Sequence, residues 1–322
     1  MKPKQTVFVT GASGFVGAAL VNRIASDERY RVLALIRREG VSLPSEAVRV
    51  RASADYLSGE MLPLKGVDVL VHCAARVHVM SDACDDPLTE YRRVNVDGTL
   101  KLAEQAARAG VKRFVFISSI KVNGEGTRLS EPYTADDVAA PCDPYGVSKM
   151  EAEQQLRLLA ERTLMEVVII RPVLVYGPGV KANFLSMMRW LNKGVFLPFG
   201  AIHNQRSLVA LDNLVDLIVT CLDHPSAANQ TFLVSDGDDM STTDLLTRMG
   251  IALGKPARLI PVPAVLLQLA AAMLGHKAIG QRLCGSLQVD IGKTRRMLGW
   301  TPPSTVASAL RKTAESFQER LK

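Results

Sequence analysis

The chain has 322 residues, 48% hydrophobic and 22% charged, a balance that suits a packed globular protein and excludes a disordered one. Its net charge of +7 comes from Lys and Arg dispersed among Asp and Glu, which argues against a nucleic-acid partner and leaves two readings, a solvated surface or a basic cleft for a diphosphate. The five cysteines, Cys73, Cys84, Cys142, Cys221 and Cys284, form neither a C-x-x-C pair nor a dense framework, so no metal and no disulfides are expected and a reducing, cytoplasmic setting is.

The N-terminal Met1-Lys2-Pro3-Lys4-Gln5 passes directly into an apolar run, without a signal-peptide pattern. Apolar runs at 6–9, 32–36, 67–73, 114–118 and 167–170 read as strands, and helix-length segments at 14–25, 88–109 and 145–164 lie between them. Short apolar strands alternating with helices imply a parallel sheet covered on both faces.

Between the first strand and the first helix stands Thr10-Gly11-Ala12-Ser13-Gly14-Phe15-Val16-Gly17. Glycines at this spacing allow a tight turn and close approach of backbone to a pyrophosphate, and the helix N-terminus presents free N–H groups to the phosphates. Gly11, Ser13, Gly14, Phe15, Val16 and Gly17 are therefore the expected cofactor contacts. The G-x-x-G-x-x-G interval is one residue longer than the standard dinucleotide fingerprint. Twenty residues past Gly17 the second strand ends in Arg37-Arg38, with no acid until Glu39. Guanidinium groups there suit a ribose 2′-phosphate, so NADP is the expected cofactor and NAD the alternative.

Asp143-Pro144-Tyr145-Gly146-Val147-Ser148-Lys149 reads as a helix start, with Asp143 as N-cap and Pro144 in the first turn. Tyr145 and Lys149, four apart, share a face. An ammonium beside a phenol lowers the phenol's pKa toward that of a usable base and can also hold a ribose hydroxyl. The 114–118 strand ends in Ser118-Ser119 at the sheet edge where ligands of open α/β sheets bind, and spacing alone leaves either serine as the reactive hydroxyl.

Beyond Arg171 the alternation gives way to Pro- and Gly-marked loops, a helical stretch at 184–192, a strand–helix–strand pattern over 206–223 and 231–235, and helical segments from Thr242 onward. The expected fold class is α/β: a doubly wound parallel Rossmann sheet over 1–172, with 206–235 returning to it, and a smaller, mostly C-terminal substrate-binding lobe from 173–205 and 236–322. The apolar stretch 262–274 holds Pro263 and Gln268 and is shorter than the roughly 20 residues of a membrane span, so it is expected to be a buried helix.

These motifs together resemble the extended short-chain dehydrogenase/reductase family of nucleotide-sugar epimerases, dehydratases and 4-ketoreductases, over nearly the whole chain. Ser119-Ile120-Lys121-Val122-Asn123-Gly124 is similar to the family's S-x-x-V-Y-G, which implies Ser119 as the catalytic hydroxyl beside Tyr145 and Lys149, with Asn123 replacing the usual tyrosine. On the cofactor side the resemblance implies Asp55, Cys73-Ala74-Ala75, Asn95, Lys149, Pro172 and Val173. The plainer alternative for Asn95 is a polar helix residue facing water. On the substrate side it implies Ser119, Lys121, Asn123, Tyr145, Asn183, Phe184, Arg206 and Arg282, the last with solvation as its alternative.

Family dehydratases carry Asp-Glu after the catalytic hydroxyl residue. Ile120-Lys121 stand there instead, which argues against dehydration. The resemblance thus implies chemistry at hexose C4 of a UDP-sugar. Arg37-Arg38 point to a reductase of a UDP-4-keto-6-deoxy-N-acetylhexosamine in bacterial surface polysaccharide synthesis, with UDP-glucose or UDP-N-acetylglucosamine 4-epimerase as the alternative. A non-catalytic nucleotide sensor is disfavoured because Tyr145 and Lys149 are both present. A homodimer is left open.

Overall fold

The structure is a computed structural model that describes residues 3–37, 40–52, 60–77, 86–275 and 277–321, with the backbone alone for 277–279. Seven parallel strands form the main sheet: β1 (Gln5–Thr10), β2 (Tyr30–Ile36), β3 (Val48–Arg51), β4 (Val69–His72), β5 (Arg113–Ile117), β6 (Glu166–Pro172) and β9 (Thr231–Val234). Their order is β3-β2-β1-β4-β5-β6-β9, so the chain winds outward one way from β1 and then the other way from β4. The reversal between β1 and β4 opens a crevice at the carboxyl ends of these strands, the place where doubly wound sheets bind ligands.

Strand residues alternate between two cores, as the two-residue period of a pleated strand requires. Val7, Val9, Val69, Val71, Val115, Ile117, Val168 and Ile170 face one core, closed by Leu20 and Ile24 of α1 (Phe15–Ala25) and by Leu214 and Ile218 of α6 (Leu211–Asp223). Phe8, Leu70, Phe114, Phe116, Val167 and Ile169 face the other, closed by Leu102 and Ala106 of α3 (Gly98–Arg108) and by Leu156 of α4 (Pro144–Arg162). Burial on both faces explains why these strands read as continuous apolar runs.

The helix expected over 88–109 is interrupted. A short helix, α2 (Pro87–Arg92), runs into a π-helical turn at Arg93–Asp97 before α3 begins. The strand–helix–strand stretch over 206–235 divides: β9 adds to the main sheet, whereas β8 (Leu208–Ala210) pairs with β7 (Leu174–Tyr176) in a separate two-stranded sheet. A third core gathers Tyr176 and Phe184, Met188 and Leu191 of α5 (Ala182–Asn192) with Leu246 of α7 (Thr242–Ala252) and Leu310 and Phe317 of α11 (Val306–Glu319).

The apolar stretch expected to be buried forms α8 (Ala264–Met273), and no residue of it is buried. It rests on α9 (Lys277–Cys284), where a Cβ on Gly280 would lie 3.0 Å from Cβ of Ala271, and among the described residues its other side is left exposed. Among the described residues no helix is long and apolar enough to cross a membrane. The remaining helix, α10 (Gly292–Leu298), is tied to β9 by Thr294 Oγ1, which donates to the Leu233 carbonyl at 2.7 Å.

A buried ion pair links α4 to the end of β6 at the carboxyl edge of the sheet. Glu153 of α4 is 1% exposed and Arg171 of β6 is 3% exposed. Arg171 donates to both carboxylate oxygens of Glu153, from Nε at 2.9 Å and from NH2 at 2.6 Å. Ser118 Oγ donates to the same carboxylate at 2.6 Å, and the half-exposed Arg157 adds a bond at 3.1 Å. Removing one member of such a pair strands a charge in the interior. Glu153→Gln should therefore lower unfolding stability by about 3–5 kcal/mol, whereas Arg157→Ala, which removes only the solvent-side cation, should lower it by about 1 kcal/mol or less. Urea titrations of the two variants against wild type check the contrast.

Candidate active site

The first turn after β1 is shaped by glycine. Gly11 sits at φ +67°, and a Cβ there would meet the Ala74 nitrogen at 2.7 Å and the Cys73 carbonyl carbon at 2.8 Å. A Cβ on Gly17 would collide with the Gly11 carbonyl oxygen. The loop therefore closes through Gly14 N donating to Gly11 O at 2.8 Å, with Cys73, Ala74 and Ala75 packed beneath it. Ser13 and Gly14 are exposed, Phe15 and Val16 half-buried. The N-terminus of α1 has no side-chain cap and no acid in its first turn, so its N–H groups and positive potential stay available to an anion. That cradle fits the diphosphate of a dinucleotide.

Asn95, in the π-helical turn, is 2% exposed and faces inward rather than water. Its Oδ1 accepts from Arg76 N at 2.8 Å while Nδ2 donates to Arg76 O at 3.0 Å and to Ser148 Oγ at 3.0 Å. It thereby clamps the loop after β4 to α4. His72, at the end of β4, lies between Thr10 Oγ1 (2.7 Å) and Thr99 Oγ1 (3.1 Å). Burial and the nearby Lys149 pull its pKa down to about 3, so it is a neutral strut. Burial pushes the Cys73 thiol up to about 12, which keeps it a protonated wall residue.

Arg37 follows directly after β2 and is exposed, while Arg38 and Asp55 lie outside the described residues. Pro172 and Val173 are buried where β6 passes into β7. Among the described residues no cluster of three or more His, Cys, Asp or Glu side chains could hold a metal.

The residues expected to handle the proton converge at the ends of β5 and α4. Asp143 caps α4 by accepting from Gly146 N at 2.7 Å, and Pro144 follows in the first turn. The two serines separate: Ser118 is buried and turned to Glu153, whereas Ser119 has extended backbone, is half-buried, and caps the turn Ile120–Val122 by accepting from Lys121 N at 3.2 Å. Ser119 also hydrogen-bonds the Tyr145 phenol. Burial holds the Tyr145 pKa well above the usual phenol range, with Asp143 and Tyr91 adding to the rise and the Ser119 bond opposing it. The Tyr91 ring lies edge-on, 6.0 Å away centroid to centroid.

Lys149 is 1% exposed; its Nζ donates to the Ile117 carbonyl at 2.7 Å and lies 4.2 Å from the Phe116 ring centroid. Burial pulls its pKa down to about 7, opposed by Glu153 and Cys73. The groups that shift Tyr145 most are thus burial, Asp143 and Tyr91, and the expected pull of Lys149 on the phenol does not stand among them.

The substrate-side residues divide. Lys121 bridges Asp143 and, at 3.1 Å, Glu125, whose carboxylate also lies 4.0 Å from Arg282. Asn123 is 1% exposed, accepts from Arg171 NH1 at 2.9 Å and donates to the Thr134 carbonyl at 2.9 Å; with its amide so engaged it braces Arg171 instead of forming the expected substrate wall. Asn183 is exposed at the start of α5. Phe184 is 2% exposed and stacks on Tyr176 at 5.4 Å, so it belongs to the lobe core and not to the expected substrate surface. Arg206 is half-buried, donates to the Gly285 carbonyl at 3.0 Å, and has its pKa lowered by burial and by neighbouring Arg282. Two adjoining guanidinium groups on the cleft rim match a diphosphate.

Glu153 is not among the residues that the sequence motifs mark, although it stands four residues past Lys149 on the same helix face.

The family model for the NAD dependent epimerase/dehydratase family matches residues 7–235. The chain belongs to that family, and so is an enzyme of the nicotinamide-dependent extended short-chain dehydrogenase/reductase type. It is 52% identical over 320 residues to a UDP-glucose 4-epimerase of Vibrio cholerae, covering 98% of this chain and 96% of the relative. Among solved structures, the fold is similar to UDP-glucose 4-epimerase from Thermotoga maritima bound to UDP-glucose, with TM-score 0.79, 20% identity and coverage of 99% and 100% of the two chains. It is similar also to MoeE5 in complex with UDP-glucose and NAD, with TM-score 0.76, 26% identity and coverage of 98% and 100%.

Two outcomes follow from the geometry. Tyr145→Phe should reduce turnover by about 100-fold or more, the usual worth of a positioned acid–base group, with cofactor affinity nearly unchanged; steady-state assays and nucleotide titration measure both. Lys149 has a folded pKa of about 7 against 10.5 for the free side chain. Between those values the unfolded chain binds the extra proton, so stability contributed at this site rises with pH across that window, and the penalty is complete below it. Lys149→Met should abolish this rise, seen as a flatter dependence of the urea midpoint on pH from neutral to mildly alkaline, without added nucleotide.

Proposed function

We propose that the protein is a UDP-hexose 4-epimerase that retains one NAD through each turnover. The observation that carries this reading is the 52% identity, end to end, with the Vibrio cholerae UDP-glucose 4-epimerase, in a chain that keeps Ser119, Tyr145 and Lys149. It displaces the reductase expected from Arg37-Arg38.

When bound, the oxidised nicotinamide supplies the hydride acceptor and a positive charge that favours a phenolate nearby. Tyr145 takes the O4 proton as C4 of the hexose loses its hydride, giving a 4-keto sugar. Ser119 donates a hydrogen bond to that oxygen throughout. Lys149 holds a ribose hydroxyl and keeps the base in register. Rotation of the keto sugar presents its other face. With the hydride acceptor bound, Tyr145 would give its proton back to O4 as the keto sugar is reduced on its other face, so that the C4 epimer would form with no net oxidation. Arg206 and Arg282 bind the diphosphate and hold the nucleotide while the sugar turns.

One observation favours the reductase as a second reading: Arg37 stands exposed at the end of β2, where a 2′-phosphate would lie. Incubation with UDP-glucose, without added cofactor, should give UDP-galactose, and Arg37→Ala should change the rate little. Failure to epimerise, together with NADPH-dependent reduction of a UDP-4-keto-6-deoxy sugar that Arg37→Ala weakens by about tenfold or more, the worth of a charge-assisted bond, would establish the reductase instead.

A further inference from the structure

We propose that the uncovered face of α8 docks the enzyme on an anionic lipid surface. This rests on the lobe's own surface and stands apart from the choice between epimerase and reductase.

Val265, Leu266, Leu269 and Met273 are 64%, 56%, 51% and 85% exposed, and Leu274 beyond them is 73% exposed. At 100° per residue the first four fall within one narrow stripe, opposite the side on which Ala271 meets α9. The patch continues sideways. Bridges at Leu197↔Leu259 and Ala201↔Pro263 lay the segment after α5 along the approach to α8. Phe196 (63% exposed) and Ile260 (47%) lie on these two bridged segments, and Trp190 and Val195 are exposed at the end of α5 and just beyond it. Exposed apolar side chains gathered on neighbouring segments mark an interaction site.

Its charge selects the partner. Neither 167–211 nor 245–289, the two segments that build this face, contains a single Asp or Glu. Arg189, Lys193, Lys255 and Arg258 are exposed around the apolar patch, and Arg258 lies over the Phe196 ring at 5.4 Å. An apolar stripe on two segments whose charged residues are all basic matches the interface of an anionic bilayer, with aliphatic and aromatic groups entering the acyl boundary and basic groups meeting phosphates. A second copy of the chain would bring the same cations against these. Docking on α8 would also set the cleft near the headgroup plane, because α9, packed on α8, carries Arg282 to within 4.0 Å of Glu125, which pairs with Lys121 on the cleft rim.

The test is flotation of the full-length protein with vesicles of phosphatidylcholine alone and of phosphatidylcholine with one-third phosphatidylglycerol. Binding is expected to the anionic vesicles and to weaken with salt. The exposed-site variants Leu266→Glu/Leu269→Glu and Lys255→Gln/Arg258→Gln should each weaken it by about tenfold or more, with soluble turnover unchanged. Trp190 emission should shift to the blue on binding, while Trp300, 5% exposed, keeps its signal. No binding to anionic vesicles, or equal binding by the variants, overturns the proposal. So does sedimentation showing that Leu266→Glu/Leu269→Glu splits a dimer, which would make the face an interface between copies.

Discussion

Glu153 is a carboxylate held in the interior between α4 and the end of β6, where a charge is tolerable only if its oxygens are fully bonded. Arg171 meets it with two bonds, Ser118 with a third, and Arg157 closes it from the solvent side. Those partners come from three elements, so the requirement to neutralise one buried charge fixes α4, β5 and β6 against each other. The consequence reaches the chemistry through short spans of chain. Tyr145 and Lys149 precede Glu153 by two turns and one on the same helix face. Ser119 follows Ser118 directly, and Arg171 in turn anchors Asn123 at the end of the serine-bearing loop. Ser119, Tyr145 and Lys149 are thus positioned by an ion pair that shares their helix face and loop.

The same interior sets the electrostatics of the proton transfer. Burial favours the neutral form of both partners, raising the Tyr145 phenol and pulling the Lys149 ammonium down to about 7. Charge separation inside the cleft therefore needs added support. Because the surroundings are dry, each hydrogen bond or charge brought to Tyr145 acts with more force than it would in water. Ser119 supplies part of that support from the protein itself.

Much of this was legible in the sequence because the responsible forces are local. Strands buried on both faces must be apolar throughout, so β1, β2, β4, β5 and β6 stood out as runs. The glycine loop and the start of α4 follow from backbone geometry and capping. The residues that were misplaced depend on partners far along the chain. Nothing in Ser-Ile-Lys-Val-Asn-Gly reveals that Asn123 turns inward to Arg171, 48 residues away. Phe184 reads equally well as a wall of the cleft or as core until Tyr176 is seen stacked on it. The break in the helix at Arg93–Asp97 likewise answers a distant demand, since Asn95 must turn inward to reach both Arg76 and Ser148.

The failure at α8 has a different origin. Its composition satisfies every local criterion for a core helix, and the inference from apolar composition to burial holds only where another layer is available to cover the helix. The third core, built from α5, α7 and α11 around Tyr176 and Phe184, includes no residue of α8, which packs instead on α9. A strongly apolar helix left outside that core must meet something other than its own chain, because exposing that surface to water is costly. Nearby segments that contain cations and no acids narrow what that surface can meet. The pattern that misleads when read for folding is therefore informative when read for binding: where apolar composition and the packing of the core disagree, the disagreement locates a surface shaped by an external partner.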